Sequence, residues 1–399
     1  MKIYRGNCNA VVDILTDVLH HHKHLGKTIE FYLKNNKQWG ARDRNFIAEN
    51  VFEIIRFLRY YAHLSRQEFL SIDINTRLLL AAKLLSDQVE IPDWFELDEN
   101  DRQTIEQQLS EPALEAIRLS YTDWFYTEGD KAYGAAWNPI AQKLNEQSMV
   151  CLRANTLKTS RQKLLKVLGE EGITVQKVDD CNDGMVLQQR QKLVNHVAYK
   201  EGLFEFQDIS SQQVVEFCQP SPNTVVIDTC AGAGGKSLHF ACLMQNKGQI
   251  VSFDIHENKI LELRKRATRA GVKIVYAQVV DESLVADYRL QGDIVLIDAP
   301  CSGSGVIRRN PENKWQLNAE LLASITKTQQ QILDSYSTMV AGNGILVYAT
   351  CSILPQENEL QVQAFLQRNS GFTLIAEKSL TPGINTEYDG FYMAKLKRV

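Results

Sequence analysis

The sequence predicts an α/β chain. It should be a doubly wound, mostly parallel Rossmann-like sheet, preceded by an all-α segment and a small α/β (RRM-like) connecting domain. Three observations carry this. Short apolar runs alternate with helical stretches from about residue 222 onward. Acidic residues end several of those runs, as in Val225-Val226-Ile227-Asp228, Ile250-Val251-Ser252-Phe253-Asp254 and Ile294 to Asp298. The first 140 residues instead carry apolar residues at helical spacing, with little glycine. Repeated strand–helix units imply a parallel sheet, and helical periodicity implies an α-domain.

Taken in order, residues 1–140 read as helical. Phe46, Ile47, Val51, Ile54, Ile55 and Leu58 fall on one helical face, and Leu78-Leu79-Leu80-Ala81-Ala82 reads as a buried helix. His20, His21, His22 and His24 lack the fixed spacing of metal ligands and read as a solvated helix end; no metal is expected. Gly129, Gly134 and Asn138-Pro139 loosen the pattern and mark a boundary. Residues 145–215 then read as the connecting domain: a strand at Val150–Arg153, a helix at Ser160–Gly169, a strand at Ile173–Val175, and the run Gly202 to Asp208. Residues 216–399 read as the catalytic domain, with further strands at Lys273–Tyr276 and Ile345–Tyr348.

At 399 residues the chain exceeds one typical core. Its net charge of −4 excludes a generally basic nucleic-acid coat, so any phosphate contact must be local. No apolar run reaches membrane-spanning length, and Met1 to Asn7 lacks the apolar core of a secretion leader. A cytoplasmic protein, without membrane association and monomeric, is the expectation. The eight cysteines are scattered and read as reduced thiols.

The loop after the first strand of the repeated units is Thr229-Cys230-Ala231-Gly232-Ala233-Gly234-Gly235-Lys236-Ser237. A glycine-rich strand-to-helix loop lets a ligand approach the backbone and aims helix amides at it. A P-loop would need glycine at Cys230, and a dinucleotide loop would need glycine at Ser237, so both patterns fail. S-adenosylmethionine remains, since it needs no pyrophosphate cradle. Asp228 ends strand 1, Asp254 could accept from both ribose hydroxyls, and Asp281 follows strand 3, where the adenine amine would lie.

The substrate end is Asp298-Ala299-Pro300-Cys301-Ser302-Gly303-Ser304-Gly305, with Ala349-Thr350-Cys351-Ser352 after the fifth run. On adjacent strands Cys301 and Cys351 would face one pocket. Two thiols, a carboxylate and a sulfonium methyl donor suit one chemistry. Carbon 5 of a pyrimidine is too poor a nucleophile for direct methylation, but a thiolate adding to carbon 6 makes an enamine that pushes electrons to carbon 5.

These two motifs resemble those of RNA (cytosine-5) methyltransferases. Val306-Ile307-Arg308-Arg309-Asn310-Pro311, Pro355-Gln356-Glu357-Asn358-Glu359, Asp389-Gly390-Phe391-Tyr392 and Gln207-Asp208-Ile209-Ser210-Ser211-Gln212 resemble that family's accompanying segments. Arg42-Asp43-Arg44-Asn45-Phe46 with Val51 to Arg56 resembles the NusB-like domain of the RsmB (Sun) subgroup. The resemblance implies that Cys351 is the nucleophile and Cys301 assists product release. Asp298 would hold the cytosine near the cofactor, with Lys236 beside the base. Cys230, Ala231, Gly232, Ala233, Gly234, Gly235, Lys236, Asp254, Asp281 and Asp298 would bind S-adenosylmethionine. It also implies a substrate in small-subunit (16S) ribosomal RNA, with the cytosine taken out of its stack. The chain departs from the family at Gly232-Ala233, where Ala-Pro is usual, which loosens the cofactor loop. In DNA cytosine methyltransferases the Pro-Cys thiol itself attacks; Ser302 to Gly305 and Thr350-Cys351-Ser352 favour the RNA assignment. An amine methyltransferase would want an Asn/Asp-Pro-Pro-Tyr loop, absent at Asp298 to Cys301. The alternatives are a cytosine-5 methyltransferase acting on tRNA or another RNA, and a non-catalytic RNA-binding ribosome-assembly factor, whose expected loss of the cysteines or aspartates is not seen.

Arg308-Arg309, the helix cluster Arg264-Lys265-Arg266 with Arg269, and Lys395, Lys397 and Arg398 are the basic groups considered for phosphate contact. Trp39, Arg42 and Arg44 are the corresponding candidates in the helical domain.

Overall fold

The computed structural model describes residues 3–399; Met1 and Lys2, part of the run read for a leader, lie outside the described residues. The chain forms two compact units, Met1–Trp137 with Ile307–Asn318, and Asn138–Val306 with Ala319–Val399. No helix among the described residues is long and apolar enough to cross a membrane.

The first unit is helical. In Ala41–Arg56 the residues Ile47, Val51, Ile54 and Ile55 are buried, spaced three or four apart as one face of a helix requires. In Thr76–Ser86 the residues Leu79 to Ala82 and Leu84 are buried, and the Asn75 side chain caps the start by accepting from the amides of Arg77 and Leu78. Residues 307–318 pack with these helices, although the sequence reading assigned them to the catalytic domain. Their anchor is Lys314, fully buried, whose Nζ donates to the carbonyls of Arg56 at 2.5 Å and Ser120 at 2.8 Å. Trp315 Nε1 donates to the carbonyl of Ile55 at 2.8 Å. Both satisfy carbonyls at the end of Ala41–Arg56, where a helix leaves acceptors without partners and favours a cation.

The second unit holds two sheets. Its strands, among the described residues, are β1 (Cys151–Ala154), β2 (Val175–Lys177), β3 (Gly184–Leu187), β4 (Phe204–Phe206), β5 (Val225–Asp228), β6 (Gln249–Asp254), β7 (Val275–Val279), β8 (Gly292–Asp298), β9 (Val340–Thr350), β10 (Phe372–Leu380) and β11 (Phe391–Arg398). The small sheet has the order β2-β3-β1-β4 and is antiparallel. With the helices Arg161–Glu170 and Val197–Lys200 it makes a βαββαβ, ferredoxin-like arrangement.

The large sheet has the order β10-β11-β9-β8-β5-β6-β7. Strands β7, β6, β5, β8 and β9 are parallel, and β11 and β10 complete the sheet antiparallel. Side chains alternate between its faces. Ile227, Val251, Phe253, Val295 and Ile297 enter one core with Leu333, Val362 and Phe365. Val226, Ile250, Ile294, Leu296 and Val347 enter the other with Val214, Val215, Phe240 and Met244. Burial on both faces explains why these strands read as continuous apolar runs. Strand order reverses at β5, between β6 and β8, which puts the loops after β5 and β8 side by side at the carboxyl edge.

The two sheets of this unit are tied by buried polar groups. Glu205 on β4, 2% exposed along its side chain, accepts from Arg266 at 2.9 Å and Arg269 at 2.5 Å. Asn155 Nδ2 donates to the carbonyls of Gly202 at 2.7 Å and Ala270 at 2.8 Å. A buried charge held this way is costly to orphan.

Candidate active site

The loop after β5 carries the glycines the chemistry needs. Gly232 and Gly234 have φ of +55° and +86°. A Cβ on Gly234 would lie 2.5 Å from Leu263 Cγ, whereas one on Gly232 would meet nothing within 4 Å. Gly234 is therefore tied to packing, and Gly232 leaves open space before the helix Gly235–Leu243. The Gly232 amide donates to Asp254 Oδ2 at 2.9 Å, and the His256 amide to Oδ1 at 2.8 Å. Each oxygen keeps a second lone pair for a ribose hydroxyl.

Asp228 is fully buried behind this loop. Ser237 Oγ donates to its Oδ2 at 2.6 Å, Ser252 Oγ donates to Ser237 Oγ at 3.0 Å, and Asp228 Oδ1 has no partner among the described residues. An orphaned buried carboxylate oxygen beside a glycine loop fits the cationic end of a nucleoside such as S-adenosylmethionine. Burial pushes the Asp228 carboxyl up to about 7, with Ser237 opposing. A carboxyl raised above its unfolded value, near 3.8, disfavours folding once it ionises. Stability should therefore fall as pH rises from about 4 to about 7 and level off above. Three units correspond to at most about 4 kcal/mol. We expect urea unfolding midpoints to show that slope in the wild type and to lose it in Asp228→Asn; an unchanged slope would remove Asp228 as its source.

Asp281 caps the helix Glu282–Asp287, with Oδ1 accepting from the Leu284 amide at 2.9 Å and from Ser283 Oγ at 2.7 Å. Cys230 lies on the loop, its thiol pushed up to about 12 by burial.

Asp298 ends β8, and its Oδ2 accepts from Lys236 Nζ at 2.6 Å. The Lys236 ammonium lies 5.3 Å from the centre of the Phe391 ring. Burial, the largest influence, pulls the Lys236 amine down, but Asp298 together with Asp228 and Cys351 outweighs it, and the net direction is up. Lys236 thus stands between the glycine loop, the Asp298 carboxylate and Cys351.

Cys301 and Cys351 follow β8 and β9, which pair in parallel, and their sulfurs lie 3.2 Å apart as free thiols. The hydrogen bond to Cys351, then burial, then the charges of Cys351 and Glu357 hold the Cys301 thiol well above its usual range. Cys301 therefore keeps its proton at neutral pH and can donate it to its neighbour. Gly305 seals the loop: its amide donates to the Cys351 carbonyl at 2.9 Å, and its carbonyl accepts from the Gly390 amide at 2.8 Å. A Cβ there would stand 2.3 Å from the Gly390 oxygen.

The sequence reading quoted Glu357 within a motif but gave it no role. It is fully buried and accepts from the Ser302 amide, Ser302 Oγ and Ser352 Oγ at 2.8, 2.5 and 2.5 Å. A glutamate close behind Thr350-Cys351-Ser352 was the available signal.

Most of the basic groups considered for RNA are engaged elsewhere. Arg308 is buried, at 3% exposure, which corrects the expectation that it reaches phosphate. Arg266 and Arg269 hold Glu205. Lys395 is buried and donates to Gln219 Oε1. Arg44 donates to the carbonyls of Leu33, Asn36 and Trp39. His20 bonds the Ile74 carbonyl at 2.9 Å. Arg42, Lys265 and Lys397 are exposed.

Sheet and site together define an S-adenosylmethionine-dependent methyltransferase. Residues 215–397 match the family described as 16S rRNA methyltransferase RsmB/F, and residues 121–193 match the ferredoxin-like domain of RsmF/B-like methyltransferases. A ribosomal RNA small subunit methyltransferase B of Citrobacter koseri is 32% identical over 296 residues, 72% of this chain and 69% of that protein. A "Probable ribosomal RNA small subunit methyltransferase B" of Bacillus subtilis is 34% identical over 263 residues; the match spans 64% of this chain and 58% of that relative's length. The chain belongs to the RsmB/F family of ribosomal RNA methyltransferases. Among solved structures, that of PH0851 superimposes over 100% of both chains with a TM-score of 0.82 at 20% identity, a likeness of fold. A methyltransferase homolog from Pyrococcus horikoshii covers 71% of this chain and 98% of its own, with a TM-score of 0.65 and 28% identity.

Proposed function

We propose that this chain methylates carbon 5 of a cytosine in small-subunit ribosomal RNA through a covalent adduct on Cys351. The observation that carries the reading is the pair of free thiols, 3.2 Å apart, on the two loops that follow adjacent parallel strands. One of those strands ends in Asp298, already paired with Lys236.

S-adenosylmethionine, when bound, supplies an electrophilic methyl group on a sulfonium. The glycine loop, Asp254 and Asp228 would hold it; Asp281 would need to leave its helix-capping bonds in part to reach the adenine. The chain's own groups do the rest. Asp298 accepts from the exocyclic amine of the cytosine, and the Lys236 ammonium offsets charge that builds on the ring. Cys351 sulfur bonds carbon 6, and the electron pair of the carbon 5–carbon 6 double bond becomes available at carbon 5 for the methyl group. To finish, the carbon 5 proton must go and the sulfur–carbon 6 bond must break. Cys301 passes its proton to the departing Cys351 sulfur and takes the carbon 5 proton in its place. The family's relatives support small-subunit ribosomal RNA as substrate, and a NusB-like reading of residues 1–140 supports an RNA contact there.

The test is methyl transfer from labelled S-adenosylmethionine to small-subunit RNA, followed by nucleoside digestion. The expected product is 5-methylcytidine at a single position. Label appearing in N4-methylcytidine or in an adenosine would reject carbon 5 chemistry. We also expect the initial rate to drop steeply between 50 and 200 mM salt, since phosphate neutralisation releases counterions.

A further inference from the structure

We propose that Glu357 is a positioning residue that fixes the spacing of the two thiols by clamping together the loops that carry them. The inference rests on the two-thiol reading above and goes beyond it by naming what holds the pair. Each cysteine is followed directly by a serine, Ser302 after Cys301 and Ser352 after Cys351. Both serines bind the same carboxylate. Glu357 Oε1 accepts from the Ser302 amide at 2.8 Å and from Gln329 Nε2 at 3.1 Å. Its Oε2 accepts from Ser302 Oγ and Ser352 Oγ, each at 2.5 Å.

The clamp is itself held. The helix-borne Gln329 also donates to the Pro300 carbonyl at 3.0 Å, bracing the first cysteine loop from its other side. The Glu357 carbonyl accepts from Tyr348 OH at 2.7 Å, so the glutamate's backbone is pinned to β9. Asn358 Nδ2 donates to the Ser352 carbonyl at 3.0 Å, and Asn358 Oδ1 accepts from Thr350 Oγ1 at 2.5 Å. Ser304 Oγ pairs with Ser352 Oγ at 2.8 Å and accepts from the Ile353 amide at 3.0 Å. A fully buried carboxylate with four donors, three on the two cysteine loops and one on a helix, loses far more on removal than an exposed one, because each donor would be left unpaired. No neighbouring ammonium or guanidinium pairs with it in these bonds; its partners are neutral donors. Its charge therefore also reaches the adjacent Cys301 and favours the protonated thiol there. The spacing of the two thiols is set by one residue that does not touch the substrate.

Glu357→Gln is nearly isosteric but replaces one acceptor oxygen with a donor, so it cannot satisfy all four donors. Two readouts apply to the full-length chain. The first needs no RNA. Diamide oxidises the pair: each thiol loses a proton and an electron, the sulfurs bond, and diamide is reduced to the hydrazine. The rate at which the Cys301–Cys351 disulfide appears by peptide mass mapping reports their proximity. It should slow about tenfold or more in Glu357→Gln, as a misplacement of an ångström costs on the order of 10² in a proximity-driven step. The second is kinetic. The kcat for methyl transfer should fall about 100-fold, while the Kd for S-adenosylmethionine, on the other loop, stays within about twofold.

Ser302→Ala and Ser352→Ala each remove one arm and serve if Glu357→Gln does not fold. Each should slow disulfide trapping, and Ser352→Ala should add less in the Glu357→Gln background than alone. Unchanged trapping and unchanged kcat in Glu357→Gln, or in both serine variants, would overturn the proposal. Loss of cofactor affinity in parallel with kcat would also overturn it, since that marks general destabilisation. Slowed trapping in a protein whose wild type methylates no RNA would retain the clamp and reject the reaction assigned above.

Discussion

Cys351→Ala should abolish methyl transfer, by about 10⁴-fold or more, while Cys301→Ala should trap protein and RNA as a covalent adduct. The asymmetry follows from the geometry of two sulfurs that lie 3.2 Å apart in different surroundings. Cys301 is held as a thiol by its hydrogen bond to Cys351, by burial and by the charge of Glu357. A sulfur that holds its proton suits the release step, and the attack assigned to Cys351 is the complementary role. Without Cys351 no bond to carbon 6 forms, and carbon 5 keeps too little electron density to take the methyl group. Without Cys301 the first half of the reaction proceeds, but the carbon 5 proton has no acceptor and the departing sulfur no proton. The adduct then accumulates as a species of combined mass that survives denaturing electrophoresis. It should require S-adenosylmethionine to reach full yield. An inactive, adduct-free Cys301→Ala beside a working Cys351→Ala would exchange the two roles. Both variants should keep wild-type unfolding free energies to within about 1 kcal/mol, since each loses one sulfur from a residue that is only partly buried.

What the sequence discloses about this site is set by how local each feature is. Parallel strands buried on both faces must be apolar throughout, so β5, β6 and β8 stand out, and the aspartates at their ends fall at the carboxyl edge. The adjacency of Cys301 and Cys351 needs one further step, the pairing of β8 with β9, and doubly wound topology supplies it. Features made by distant partners stay hidden. Glu357 is one of four acidic or amide residues in the run Gln356 to Glu359, and its contact with Ser302, 55 positions away, singles it out. Residues 307–318 carry no helical period of their own to announce that they pack with the first unit; Lys314 and Trp315 do so by finding carbonyls near residue 56. Charge counting fails for the same reason. Arg266 and Arg269 read as candidates for phosphate contact until the buried Glu205 is seen opposite them. β3, at Gly184–Leu187, is too short and too plain to separate from loop without its partners β1 and β2.

Asp298→Asn should lower kcat by about 10²- to 10³-fold, and more than Lys236→Met does, with cofactor affinity changed far less by either. The carboxylate meets two demands that an amide cannot meet together. Before substrate arrives it accepts from Lys236 Nζ at 2.6 Å, which keeps a buried ammonium paired and aimed at the site. With a cytosine in place it would also accept from the exocyclic amine, and its charge would strengthen as an acceptor while the ring gains electrons from Cys351. An asparagine oriented to accept from Lys236 presents its NH₂ to that amine, two donors facing each other, and one oriented the other way leaves Lys236 unpaired. Removing one preorganised electrostatic contact of this kind typically costs about 10²–10³ in rate. Lys236→Met removes the ammonium but leaves Asp298 free to hold the base, so the smaller loss follows. Because burial pulls the Lys236 amine down and Asp298 is the foremost group opposing that pull, Asp298→Asn should also shift the lysine's titration downward. That shift is measurable by the pH dependence of Lys236 acylation, read by mass spectrometry. A wild-type titration in Asp298→Asn, or a Lys236→Met variant slower than Asp298→Asn, would show that the pair does not act in this order.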